Sequence, residues 1–61
     1  MKTKTLKIEL NLYSPALSDD NIGVAETLER YALAIRNGEG LSQTLIQDGN
    51  AVGSAIVIIV N

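Results

Sequence analysis

The chain runs out on Ala55–Ile56–Val57–Ile58–Ile59–Val60, six apolar residues with no polar one among them. Successive side chains of a strand point to opposite faces, so a strand with one wet face alternates apolar and polar residues. This run does not alternate. Ile56, Ile58 and Val60 point one way; Ala55, Val57 and Ile59 point the other. In a thin fold one set meets the helix that covers the sheet, and the other has nothing in its own chain to meet. Contiguous exposed apolar surface of this kind marks an interaction site.

Size makes that site important. A chain of 61 residues is one domain, 1–61, and at this size folding buries only about 60 % of the unfolded surface. Small scaffolds are usually reinforced by a disulfide, a metal or a partner subunit. The sequence has no Cys and no His, which removes disulfides, thiolate sites and the commonest metal ligand. Burying three more aliphatic side chains contributes roughly 1.5–3 kcal/mol each, comparable with the whole stability of a small domain. The expectation is a symmetric homo-oligomer, a dimer first, with Ala55, Ile56, Val57, Ile58, Ile59 and Val60 as the interface. On this reading Ile58→Asp unfolds the protein or makes it monomeric.

Charge narrows the partners. The formal net charge is −2, yet Lys2, Lys4 and Lys7 all lie at the start, and all seven acids follow Ile8 with only Arg30 and Arg36 against them. An acidic body lacks the clustered cations that phosphate backbones require, so no nucleic-acid partner is expected. Residues 1–14 alternate and contain no apolar signal-peptide core. The terminal apolar run is far too short to span a bilayer. A soluble cytoplasmic protein without a membrane partner is expected.

The order of elements reads as β-α-β-β. Thr5–Tyr13 carries Leu6, Ile8, Leu10 and Leu12 on one side and Lys7, Glu9, Asn11 and Tyr13 on the other, a half-buried strand β1. Residues 14–23 form a loop, with Pro15 disfavouring a ladder and Ser18, Asp19, Asp20 and Asn21 supplying turn and N-cap chemistry. Val24–Asn37 is a helix whose apolar stripe is Val24, Leu28, Tyr31 and Ile35, with Ala25 and Ala32 beside it. Asn21 or Gly23 caps it, acids crowd its start, Arg36 sits in its last turn and Gly38 stops it.

Thr44–Gln47 is β2, and Asp48–Gly49 is a preferred pair for a two-residue type I′ hairpin turn into the last strand, β3. That turn pairs Gln47 with Asn50, Ile46 with Ala51, Leu45 with Val52 and Thr44 with Gly53. Gly53 marks a bulge or a close backbone approach. The most apolar strand belongs in the middle. The fold expected is therefore α+β: a three-stranded antiparallel sheet of order β1-β3-β2 with one helix on one face.

Reactive chemistry is sparse. Asp19–Asp20–Asn21 lacks the oxygen count and spacing of a calcium loop, and capping explains it better. Asn37–Gly38–Glu39–Gly40 follows a helix instead of preceding one, and no Lys accompanies it, so it is no phosphate loop. Ser14, Ser18, Ser42 and Ser54 have no His or neighbouring Lys to activate them. No catalytic residue, cofactor or metal is expected, and the protein is read as a non-enzyme. Tyr31 belongs to the core stripe. Tyr13 falls on the polar face of β1 near a loop, where an exposed aromatic serves as a contact residue.

The second half carries a resemblance. A helix end AIRNGEG (Ala34–Gly40), then LIQDGN (Leu45–Asn50), then AVGSAIV (Ala51–Val57) combine Arg-x-Gly-Glu with Asp-Gly-Asn-x-Val-Gly. The pattern resembles a group of small, mostly uncharacterised phage and prophage accessory proteins, which begin with an alternating strand and an acidic loop as this chain does. The apolar run at the end is longer than theirs. The resemblance implies a protein that binds a host protein and blocks it, components of antiviral defence included. Tyr13, Asp19, Asp20, Glu26 and Glu29 are then the candidate partner contacts. Two other readings stand beside it: a small-molecule sponge with pockets at oligomer interfaces, and a minor structural virion protein.

Overall fold

The structure is a computed structural model that describes residues 1–17 and 21–61. Its elements are β1 (Thr3–Leu10), a 3-10 turn (Pro15–Leu17), α1 (Asn21–Arg36), β2 (Gln43–Gln47) and β3 (Asn50–Val60). The three strands form one antiparallel sheet of order β1-β3-β2, the order the apolar character of β3 calls for.

β1 starts two residues earlier than its alternation suggests and stops at Leu10 instead of Tyr13. Asn11 is the reason. Its backbone N–H donates to the Val52 carbonyl at 2.8 Å, its own carbonyl accepts from Ser14 N–H at 3.0 Å, and its side-chain Oδ1 accepts from Tyr13 N–H at 3.0 Å. An Asn side chain that bonds the backbone two residues on closes a turn and ends the ladder. Leu12 and Tyr13 are thereby carried outside the strand.

α1 begins at Asn21, three residues before the expected Val24. Asn21 and Gly23 are helical residues and not its cap, and the position before them lies outside the described residues. Glu26 is the sixth helical residue, so the first turn holds no acid, whereas Arg36 does sit in the last turn. The buried stripe is Gly23, Thr27 and Tyr31, at i, i+4 and i+8. Of the expected stripe, Tyr31 is buried, Val24 and Ile35 are half-buried, and Leu28, Ala25 and Ala32 are exposed.

Close approach explains the rotation of that stripe. A Cβ at Gly23 would lie 3.2 Å from the Ala16 carbonyl oxygen and 3.3 Å from Leu17 Cα. The bare glycine lets the 3-10 turn seat against the helix, and Leu17 becomes core. At the other end Gly38 takes φ +92°, its N–H donates to the Ile35 carbonyl, and Glu39 N–H donates to the Ala34 carbonyl, both at 3.0 Å. This pair of bonds is the Schellman stop.

Asp48 and Gly49 both have positive φ, 52° and 79°, as a type I′ turn requires. Gln47 pairs with Asn50 and Ile46 with Ala51, as expected. Beyond them the register slips by one at a bulge, so Leu45 faces Gly53 and Thr44 faces Ser54. The expected pairs Leu45 with Val52 and Thr44 with Gly53 are therefore incorrect. The bulge changes strand parity. Val52 and Ala55, three residues apart, would otherwise face opposite ways; here both are buried.

Leu17, Tyr31, Leu45, Val52 and Ala55 form the core, flanked by Leu10, Ala16 and Ile35. It sits at one end. α1 packs on β2 and on the 3-10 turn, and the 3-10 turn packs on β3. The β1–β3 ribbon runs on past this end, and the molecule spans 41 × 25 × 17 Å. Its Cα radius of gyration is 12.6 Å, against about 10.5 Å for a compact domain of this length.

Candidate interaction surface

Four surfaces emerge: the two faces of the ribbon, the turn after β1, and the outer side of α1. Register sorts the ribbon faces. Leu6 pairs with Val57, Ile8 with Ala55, Leu10 with Gly53 and Lys4 with Ile59. These residues share the face of Leu45, which the helix covers, and form the inner face. On the outer face Ile56 pairs with Lys7, Ile58 with Thr5, Val60 with Thr3 and Ser54 with Glu9.

The six interface candidates divide accordingly. Ala55 is only 1 % exposed and belongs to the core, which corrects its assignment to an interface. It is the one member of its set that lies under the helical end. Val57 is half-buried and Ile59 is 64 % exposed, because the helical layer stops short of them. The inner set thus does not meet the helix as a whole. Leu6 and Ile8, each 40 % exposed, are bare for the same reason, so β1 is not half-buried within a single chain. On the outer face Ile56, Ile58 and Val60 are also exposed, but each stands beside a polar neighbour. A lysine stem such as that of Lys7 covers apolar surface while its ammonium stays in water, and Lys7 Nζ is held 2.9 Å from Glu9 Oε1.

β2 ends at Gln43, opposite Ala55. Ser42 extends the pairing by one bond, its Oγ accepting from Val57 N–H at 3.2 Å. Past that point no described residue pairs with β3 on the β2 side.

Tyr13 is 98 % exposed, beside an exposed Leu12, on the turn that Asn11 locks from within. Glu29 is exposed on the outer side of α1. Glu26 is exposed too, yet it is engaged: its Oε1 accepts from Gln47 Nε2 at 3.1 Å. Behind that bond lies a buried polar group. Thr27 Oγ1 is 2.8 Å from the Gly23 carbonyl and 3.2 Å from Gln47 Oε1. A hydroxyl has one proton, so these two acceptors share it. Asp19 and Asp20 lie outside the described residues.

Arg30 Nη1 donates to the Ile46 carbonyl at 2.9 Å, covering part of the open edge of β2. A cleft of about 340 Å³ lies alongside, lined by Arg30, Tyr31, Glu39 and Gln43 among others. Tyr31 Oη donates to the Leu41 carbonyl at 2.8 Å. Among the described residues no group of three or more acidic, His or Cys side chains is gathered to hold a metal. No helix among them is long and apolar enough to cross a membrane.

Sequence reasoning missed Leu17, Thr27 and Gln47. Thr27 and Gln47 are polar residues within predicted elements, so hydropathy carried no signal for their burial. Leu17 is apolar but stands in a predicted loop, with no periodic pattern to place it in the core. The chain matches no protein-family model, no curated protein and no solved structure. The fold and its surfaces are therefore the ground for any functional reading.

Proposed function

We propose that this chain is a non-enzymatic accessory protein of the phage type, which forms a homo-oligomer in the host cytoplasm and binds and inhibits a host protein. A component of antiviral defence is the target class to test first. The observation that carries the reading is Tyr13. A fully exposed aromatic is held on a turn whose backbone is tied by Asn11, so little ordering entropy remains to be lost on binding. Tyrosine is enriched among residues that dominate interface energies. Leu12 beside it adds apolar area, and Glu29 supplies a neighbouring class of contact on the helix.

Glu26 is reassigned within this reading. Its bond to Gln47 makes a charge reversal there a stability change as well as a surface change, so Glu29→Lys is the clean probe of the acidic face. The sponge reading draws on the cleft beside Arg30, but that guanidinium already serves the Ile46 carbonyl. No observation favours the virion reading.

The experiment is phage plating on bacterial strains that each carry one defined defence system, with and without expression of the protein. Expression is expected to restore plating on at least one strain, and Tyr13→Ala to abolish the effect while leaving the melting temperature unchanged. Full activity of Tyr13→Ala would show that the surface is wrong. No restored strain, together with no purified defence component bound, would remove the inhibitor reading.

A further inference from the structure

Beyond Ala55 the inner face of the β1–β3 ribbon has no cover among the described residues, and its chemistry says what covers it. We propose that a second copy of this chain packs there, the two ribbons meeting face to face about a two-fold axis, with Leu6, Ile8, Val57 and Ile59 of each copy at the centre. This rests on the self-association in the reading above and specifies its face.

Register separates the two candidate faces. Across the inner face Leu6 stands beside Val57 and Ile8 beside Ala55, with no polar side chain between them until Lys4 at the ribbon tip. On the outer face every exposed Ile or Val of β3 has Thr or Lys across from it. The outer face is the mixed surface that water tolerates. The inner face continues the core of the chain, Leu45, Val52 and Ala55, with Gln43 beside Ala55 at its β2 margin. A self-complementary patch of this kind is what a two-fold contact needs, because the same surface serves both copies.

The area agrees. The chain exposes 4618 Å², whereas a compact monomer of its mass exposes about 3,800 Å². The excess, about 800 Å², is spread over the whole elongated surface, of which the inner face is one part, and is of the order that one partner gives to a standard-sized interface. Thickness agrees as well. Stacked sheets lie about 10 Å apart and a helix with its side chains is about 10–12 Å across. A partner ribbon therefore fits in the layer that α1 occupies, beside the helix and not on top of it. Each ribbon would then lie between its own helix and that of its partner.

Charge points the same way. Lys4 is the one charged residue on the inner face of the ribbon, at its tip, and the rest of the chain from Ile8 onward is acidic. An antiparallel two-fold arrangement carries each basic tip toward the acidic helical end of the other copy.

The test uses adjacent positions on opposite faces, read by native mass spectrometry and sedimentation across a dilution series. Ile59→Asp places a carboxylate on the inner face, opposite Lys4, where the free chain accommodates it. Ile58→Asp makes the same change on the outer face, opposite Thr5. Wild type is expected at twice the 6.5 kDa chain mass. Ile59→Asp is expected to weaken the dimer by about 100-fold or more, because the interface loses an apolar side chain and must desolvate a charge, and the carboxylate beside Lys4 neutralises the basic tip. Ile58→Asp is expected to leave it dimeric; this revises the expectation drawn from the apolar run alone, because the register puts Ile58 on the outer face beside Thr5. Single cysteines guard against misfolding as an explanation, since the natural chain has none: Val57→Cys should form a disulfide-linked dimer on mild oxidation, and Ile56→Cys should not.

Cross-linking at Ile56 with loss of the dimer in Ile58→Asp would overturn the choice of face. Equal cross-linking at both positions would mean edge-to-edge pairing of β3 and overturn it too. A wild-type monomer at all concentrations would overturn the second copy as occupant. If that monomer still restored plating in a Tyr13-dependent way, the inhibitor reading would survive without the dimer.

Discussion

Gly53 lies so close to the backbone of Glu9 that a β-carbon on it would collide with the Glu9 carbonyl oxygen. The contact crosses from β3 to β1 at the pair Leu10 and Gly53, directly after the bulge that turns Val52 into the core. Gly53→Ala must push the central strand β3 away from β1. Overpacking of this kind costs about 1–3 kcal/mol and occasionally more; the backbone partner here places the expected loss at the upper end. Gly40→Ala, with nothing within 4 Å of its β-carbon, should be nearly neutral. Urea titration of both variants checks the pair.

The buried polar group formed by Thr27, Gln47 and Glu26 predicts a non-additive pattern. Thr27→Val strands Gln47 Oε1 without a donor, and an unsatisfied buried group costs about 1–3 kcal/mol. Replacing both partners by apolar residues, Thr27→Val with Gln47→Leu, should cost less than the sum of the single changes. A double-mutant cycle by chemical denaturation measures the difference.

Two glycines carry left-handed backbone with open space around them, Gly38 and Gly49. Alanine at either should cost about 1–2 kcal/mol through backbone strain alone. Asp48 also has positive φ, and Asn tolerates that region well. Asp48→Asn should therefore match or slightly exceed wild type, which thermal melting resolves.

Tyr31 ties the loop after α1 to the helix through the Leu41 carbonyl. Tyr31→Phe keeps the buried ring and removes one bond, a loss of about 0.5–1.5 kcal/mol. Amide exchange should rise in residues 39–42, and unchanged exchange would show that the bond holds nothing in place.

What local chemistry decides was legible in the residues alone. Asp48–Gly49 and Gly38 announce their turns because only certain residues accept positive φ. The alternation of β1 and the apolar run of β3 give the strand order, because the most apolar strand must be central. Tertiary contact decided the rest. The bulge at Val52 exists because two residues three apart must both reach one core. Gly23 and Thr27 face that core, in place of Leu28, because small side chains let the 3-10 turn and β2 come close, and Leu17 fills the gap that results. How much of the ribbon's inner face stays bare was decided last, by where the helix lands. That position depends on residues distant in the chain, and no pattern along a single strand encodes it.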